Sequence, residues 1–254
     1  MCYDDLARPP VPPGIGGGSN GDDLVVTAAD GNRYNAYLAR PATPSGAQIL
    51  IYPDVRGLHQ FYRELALRFA DVGITALAMD YFGRTAGLAP RDDKFDWMPL
   101  VQQLTLPEIY TDAKSALATL RQGQGAQRAT FIVGFCMGGS LTIYSGTQDW
   151  GLAGLIGFYT GFGRKMDEGR TPLEVSPRVR VPFLGLYGGA DQGIPPEQIE
   201  TLDQNLDQAG VAHELKIYPG ATHSFFDRRA AEFADASADA WTRMLSFIQA
   251  HTAK

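Results

Sequence analysis

Cysteine is scarce in this sequence: of 254 residues only Cys2 and Cys136 carry a thiol. Two thiols cannot build the disulfide framework of a small secreted domain, so the fold must rest on a hydrophobic core. Long apolar runs are missing as well; none approaches the roughly 20 residues of a membrane-spanning helix. The opening residues Met1-Cys2-Tyr3-Asp4-Asp5 have neither the basic nor the apolar region of a signal peptide. The cytoplasm, where a thiol stays reduced, is therefore the expected compartment. An excess of positive charge is also absent. Lys and Arg number 22 against 28 Asp and Glu, a net charge of −6 with pI near 5.2. This favours neither nucleic acid nor an anionic membrane as partner, and an anionic substrate would need a local basic site. Histidine, cysteine and carboxylate residues nowhere cluster at metal-ligand spacing, so neither a metal nor another cofactor is expected.

What is present reads as one domain of alternating strands and helices. The chain is long enough to bury a sizeable core undivided, and 44% hydrophobic with 20% charged residues is ordinary for a globular protein. Residues 1–22 are rich in Pro and Gly and read as an extended arm; residues 23–254 read as a single domain. Residues 24–27 and 33–38 flank Asp30-Gly31 as an antiparallel hairpin. The run at 48–52 suits a strand buried on both faces, and further strands are expected at 74–79, 131–135, 152–159, 181–187 and 215–218. Helices are expected at 61–72, 107–120, 137–147, 196–209 and 229–250. Residues 83–105 read as an excursion over the strand tips, a lid candidate. The alternation predicts a mainly parallel, doubly wound sheet flanked by helices. A (β/α)8 barrel is the rival, and the leading hairpin argues against it.

One stretch organises the chemistry: Phe131-Ile132-Val133-Gly134-Phe135-Cys136-Met137-Gly138-Gly139-Ser140. An apolar strand runs into a cysteine with glycines two residues before and two after, and small residues then open a helix. This is the pattern of a nucleophile elbow, whose tight turn tolerates only small residues at those places. The helix N-terminus favours thiolate, and the Met137 amide would face a developing oxyanion. An inert buried cysteine is the alternative. Two later segments decide between them. An elbow requires an acid and then a histidine, each after a later strand. Asp191 follows the run 181–187, and His223 follows 215–218. His223 would take the thiol proton and Asp191 would orient the imidazole. The loop after the strand 48–52 is where such a fold places its second oxyanion donor, which points to the Val55 amide. Gly17-Gly18-Ser19-Asn20-Gly21 formally matches Gly-x-Ser-x-Gly, but no strand precedes it and no helix follows, so it counts as chance.

The Gly-x-Cys-x-Gly-Gly elbow, the Asp191 segment and Thr222-His223-Ser224-Phe225 resemble the dienelactone hydrolases, an α/β-hydrolase family. The match runs over most of the chain after the first two dozen residues. Tyr52-Pro53-Asp54-Val55-Arg56-Gly57 and Asp80-Tyr81-Phe82-Gly83-Arg84 are similar to two further family segments. The resemblance implies an α/β-hydrolase fold, a monomer, and a small lactone or activated ester cleaved through a thioester. It makes Arg84 a substrate-binding arginine for a free carboxylate. The family's second such arginine falls on Asp227 here, with Arg228 immediately after as its substitute. Asp54 stands where the family has a glutamate that pairs with the resting thiol. Tyr159, at a strand tip, is a further candidate to line the substrate pocket. Two other functions stay open: a broad carboxylesterase on neutral small esters, suggested by Asp227, and a ligand-binding protein of low turnover.

Overall fold

The computed structural model describes residues 7–14 and 18–252. Eight strands form one sheet: β1 (Ser19–Thr27), β2 (Arg33–Pro41), β3 (Ala47–Tyr52), β4 (Thr75–Met79), β5 (Ala129–Phe135), β6 (Gly154–Phe158), β7 (Phe183–Gly188) and β8 (His213–Tyr218). Their order across the sheet is β1-β2-β4-β3-β5-β6-β7-β8. The hairpin β1–β2 is antiparallel and β2 joins β4 antiparallel; every other pairing is parallel. The chain reverses its direction of travel across the sheet between β4 and β5, so the tips of β3 and β5 lie side by side. That crevice is where doubly wound sheets place their ligands.

Helices cover both faces: α1 (Gln60–Asp71), α2 (Gly83–Ala86), α3 (Met98–Val101), α4 (Leu106–Leu120), α5 (Met137–Gly146), α6 (Pro172–Val175), α7 (Pro196–Gln208) and α8 (Ala234–His251). Strands β3 to β7 are apolar without alternation because helices bury them from both sides; all six residues of β3 and all five of β4 are buried. α1 presents Phe61, Leu65, Phe69 and their neighbours to that core. α5 differs from it in being buried all round. Its glycines explain how it fits: a Cβ on Gly139 would sit 2.9 Å from Phe158 O, and one on Gly146 would sit 2.6 Å from Leu155 Cδ1.

Several boundaries move from their expected places. The hairpin strands are nine residues each, so Ser19 to Gly21 belong to a strand, and Ser19 Oγ donates to Asp71 at 2.7 Å. The described part of the arm, 7–14, lies on the domain itself: Trp241 Nε1 donates to Pro10 O at 2.9 Å. Residues 1–6 and 15–17 of the expected arm lie outside the described residues. The last helix begins at Ala234 rather than 229. Successive turns fill 224–233, and Ser237 Oγ closes them by donating to Phe225 O at 3.0 Å. No helix among the described residues is long and apolar enough to cross a membrane.

Candidate active site

Cys136 sits between β5 and α5 with φ 56° and ψ −112°, a backbone conformation that residues bearing a side chain rarely adopt. The flanking glycines make the turn possible. A Cβ on Gly134 would lie 2.1 Å from Gly138 O, and one on Gly138 would lie 2.2 Å from Tyr52 O and 2.4 Å from Pro53 O. The elbow therefore rests directly against the tip of β3. This contact brings two amides into one neighbourhood. Met137 is the first residue of α5, where an amide has no acceptor within the helix. The Val55 amide, on the loop after β3, donates to no acceptor among the described residues.

The candidate acid and histidine follow the parallel strands two and three places beyond β5, on the same edge. Asp191 follows β7 and His223 follows β8, and backbone bonds join their loops: Gly189 N to Tyr218 O and Ala190 N to Ala221 O, both 2.8 Å. Asp191 Oδ1 accepts the Gly193 amide at 2.9 Å, while Oδ2 accepts His223 Nδ1–H at 2.6 Å. The carboxylate is buried and the imidazole is about one third exposed, 3% against 31%. A proton on Nδ1 leaves Nε2 as the basic nitrogen. Ser224, next to His223, is also left-handed, with φ 62°.

Tyr159, the candidate pocket residue, is wholly buried instead, with φ 35°. Its ring packs on the His223 imidazole at 4.8 Å between centroids, and its hydroxyl donates to Asp227 at 2.6 Å. Burial first, then the Asp227 charge, raises the Tyr159 phenol well above its ordinary range. Asp227 is thus an interior carboxylate at the place expected of an arginine, while Arg228 beside it is exposed. Arg84 is engaged elsewhere: its guanidinium reaches Asp30 and Asp112, each at 2.7 Å. It borders a cavity of about 230 Å³ that Glu108 and Asp112 also line. Asp54 is fully buried, and its Oδ1 accepts the Arg56 amide at 2.9 Å. The Asp54 amide in turn donates to Tyr62 Oη at 3.0 Å. Burial raises the Tyr62 phenol well above its ordinary range, helped by the charges of Asp54 and Asp227.

Other neighbours of the site escaped the sequence reading. His59, in the loop after β3, is buried at 2% exposure. Arg164 places one guanidinium nitrogen 3.4 Å from Met137 Sδ and donates from another to Val101 O. It lies in the loop between β6 and α6.

An elbow after the fifth strand, with acid and histidine after later strands, defines the α/β-hydrolase class. Comparison with known proteins narrows it. The chain belongs to the dienelactone hydrolase family, whose sequence profile matches residues 34–252, and it is a hydrolase as that family is. It is 28% identical over 249 residues, 92% of this chain and 90% of the other, to the "Putative carboxymethylenebutenolidase" of Escherichia coli K12. A crystal structure of a "Putative Dienelactone Hydrolase" from Klebsiella pneumoniae superimposes with TM-score 0.78 at 26% identity, covering 91% of this chain and 98% of that one. A dienelactone-hydrolase-like promiscuous phosphotriesterase from metagenomic libraries shares the fold with TM-score 0.77 at 21% identity, over 93% and 100% of the two chains.

Proposed function

We propose that this hydrolase cleaves a lactone or small activated ester with Cys136 as nucleophile, His223 as base and Asp191 as its orienting acid. The observation that carries the reading is the strained Cys136 elbow on the same sheet edge as the 2.6 Å Asp191–His223 bond. His223 Nε2 takes the thiol proton, and sulfur bonds to the carbonyl carbon. The oxyanion is stabilised by the Val55 and Met137 amides. Collapse breaks the C–O bond, and His223 returns its proton to the leaving oxygen. Water, deprotonated by the same nitrogen, then attacks the thioester, and the thiolate leaves. Thiolates attack amides poorly because the amine leaves badly, so esters and lactones suit this site better than peptides. Asp54 is proposed as partner of the resting thiol. Its residue adjoins Pro53, whose carbonyl the elbow abuts.

The test is kcat/KM for a dienelactone and for p-nitrophenyl acetate, with Cys136→Ala in parallel. Both activities should fall by about 10⁴-fold or more in the variant, and mass spectrometry should find the acyl group on Cys136. Survival of both rates would rule the nucleophile out.

A second reading concerns charge. Arg84 is occupied by two carboxylates, Asp227 holds the second arginine's place, and Arg228 is exposed. These observations favour neutral esters over carboxylate-bearing ones. A higher kcat/KM for the neutral ester than for the dienelactone would support that reading; the reverse ratio would reject it.

A further inference from the structure

Asp80, at the tip of β4, and Arg91, in the segment that follows α2, form an ion pair hidden from solvent: Arg91 Nη2 to Asp80 Oδ2 is 2.9 Å, with side-chain exposures of 1% and 0%. Neither residue belongs to the triad, and the chemistry proposed above does not use them. Their connections nevertheless lead to it. Asp80 Oδ2 also accepts Arg91 Nε at 3.1 Å and the Phe82 amide at 3.1 Å. Its other oxygen, Oδ1, accepts the Leu58 amide at 3.1 Å. Leu58 lies three residues past Val55, on the loop that offers the oxyanion amide. The same carboxylate oxygen leaves no room at Gly57, where a Cβ would come within 2.4 Å of it and where φ is +78°. The loop therefore lies on Asp80 at two consecutive residues.

Arg91 fixes the far side of this carboxylate. It donates to Ala89 O and Gly87 O, both at 2.7 Å, and its guanidinium lies 4.6 Å from the Phe95 ring centroid. Phe95 packs edge-on against Phe82 at 5.1 Å. One buried guanidinium thus gathers the stretch from Gly87 to Phe95 and pairs with Asp80 in the interior. The part of the expected lid that holds Arg91 is stapled to the oxyanion loop through a shared carboxylate.

We infer that Asp80 and Arg91 are positioning residues that hold the Val55 amide in place for the oxyanion, so that the segment over the strand tips sets the reactivity of the site beneath it. The inference rests on the proposed cysteine mechanism for its kinetic consequence, but the control of the loop stands apart from it. Removing the guanidinium takes away the buried ion-pair partner of Asp80, and the carboxylate then no longer holds the Gly57–Leu58 backbone in position.

Two reactions of the same thiol separate this from general damage. Acylation by p-nitrophenyl acetate builds an oxyanion; alkylation by iodoacetamide displaces iodide at carbon and builds none. In Arg91→Met the acylation rate should fall by about 10²-fold, the scale of losing one oxyanion donor, with little change in KM. Alkylation should stay within about threefold, since it needs thiolate and not the oxyanion hole. Arg91→Lys should recover part of the acylation rate, and it carries the same pair of measurements should Arg91→Met not fold. Hydrogen exchange at the amides of 55–58 should be faster in the Arg91 variant than in the wild type. Unchanged acylation, or an equal fall in both reactions, would overturn the kinetic role; unchanged exchange would overturn the control of the loop. If Cys136→Ala retains ester hydrolysis, the cysteine mechanism fails while the exchange result still decides whether Arg91 holds the loop.

Discussion

Gly138 shows how much a single residue decides here. Its Cα faces the Tyr52 and Pro53 carbonyls so closely that one methyl group would have to displace backbone, not a flexible side chain. Gly138→Ala should therefore shift the elbow against the β3 tip. A displacement of that kind is expected to lower kcat by about 10²-fold. Stopped-flow kinetics beside a thermal melt checks this, and a full-rate enzyme would show that the contact does not set the geometry. Asp191→Asn probes the other end of the proposed relay. The amide would keep its place but favour the wrong imidazole tautomer, and kcat should fall by about 10⁴-fold with the fold intact by circular dichroism. The glycine-flanked turn and the placing of Asp191 and His223 just past strand ends were legible in the chain, because local turn chemistry and strand-end context define them. The pairing of Tyr159 with Asp227 was not. Their pairing spans 68 positions of sequence, and a tyrosine that bonds a buried carboxylate has no local signature.

At the scale of elements, the buried parallel strands were the most legible part, because burial on both faces leaves an unbroken apolar run. The stretch from 83 to 105 was least so; its order comes from partners far away in sequence. Arg84 is the sharpest instance. Family resemblance makes it a ligand for substrate, whereas its guanidinium joins the turn between β1 and β2 through Asp30 to α4 through Asp112. Asn32 donates to both oxygens of Asp112 at 3.1 Å and strengthens the same junction. Asp112 is buried at 2% exposure, so Arg84→Ala strips an interior carboxylate of its counter-charge. The expected loss is about 3 kcal/mol of stability, read as a lower urea midpoint. KM for carboxylate-bearing and neutral esters should change alike. A selective rise in KM for the acidic substrate, with stability unchanged, would return Arg84 to the substrate.

For the molecule as a whole, His59 sets a pH window for stability. It precedes α1 and is buried, and desolvation together with the Arg56 charge lowers its pKa from the usual 6.5 to about 3. Above the unfolded value of 6.5, folded and unfolded chains both carry a neutral imidazole, and this group gives stability no pH dependence. Between 6.5 and about 3 the unfolded chain binds a proton that the folded chain refuses, so stability falls as pH falls through that window. Paired carboxylates such as Asp80 and Asp191 are retained in a variant lacking His59, which isolates the histidine contribution. His59→Gln stays neutral at every pH. Urea unfolding of both proteins from about pH 7.5 down to about pH 4 should give curves that are parallel above the histidine range and diverge below it, with the glutamine variant losing less stability. Curves that stay parallel throughout would mean that His59 takes up its proton in the folded state as readily as in the unfolded one.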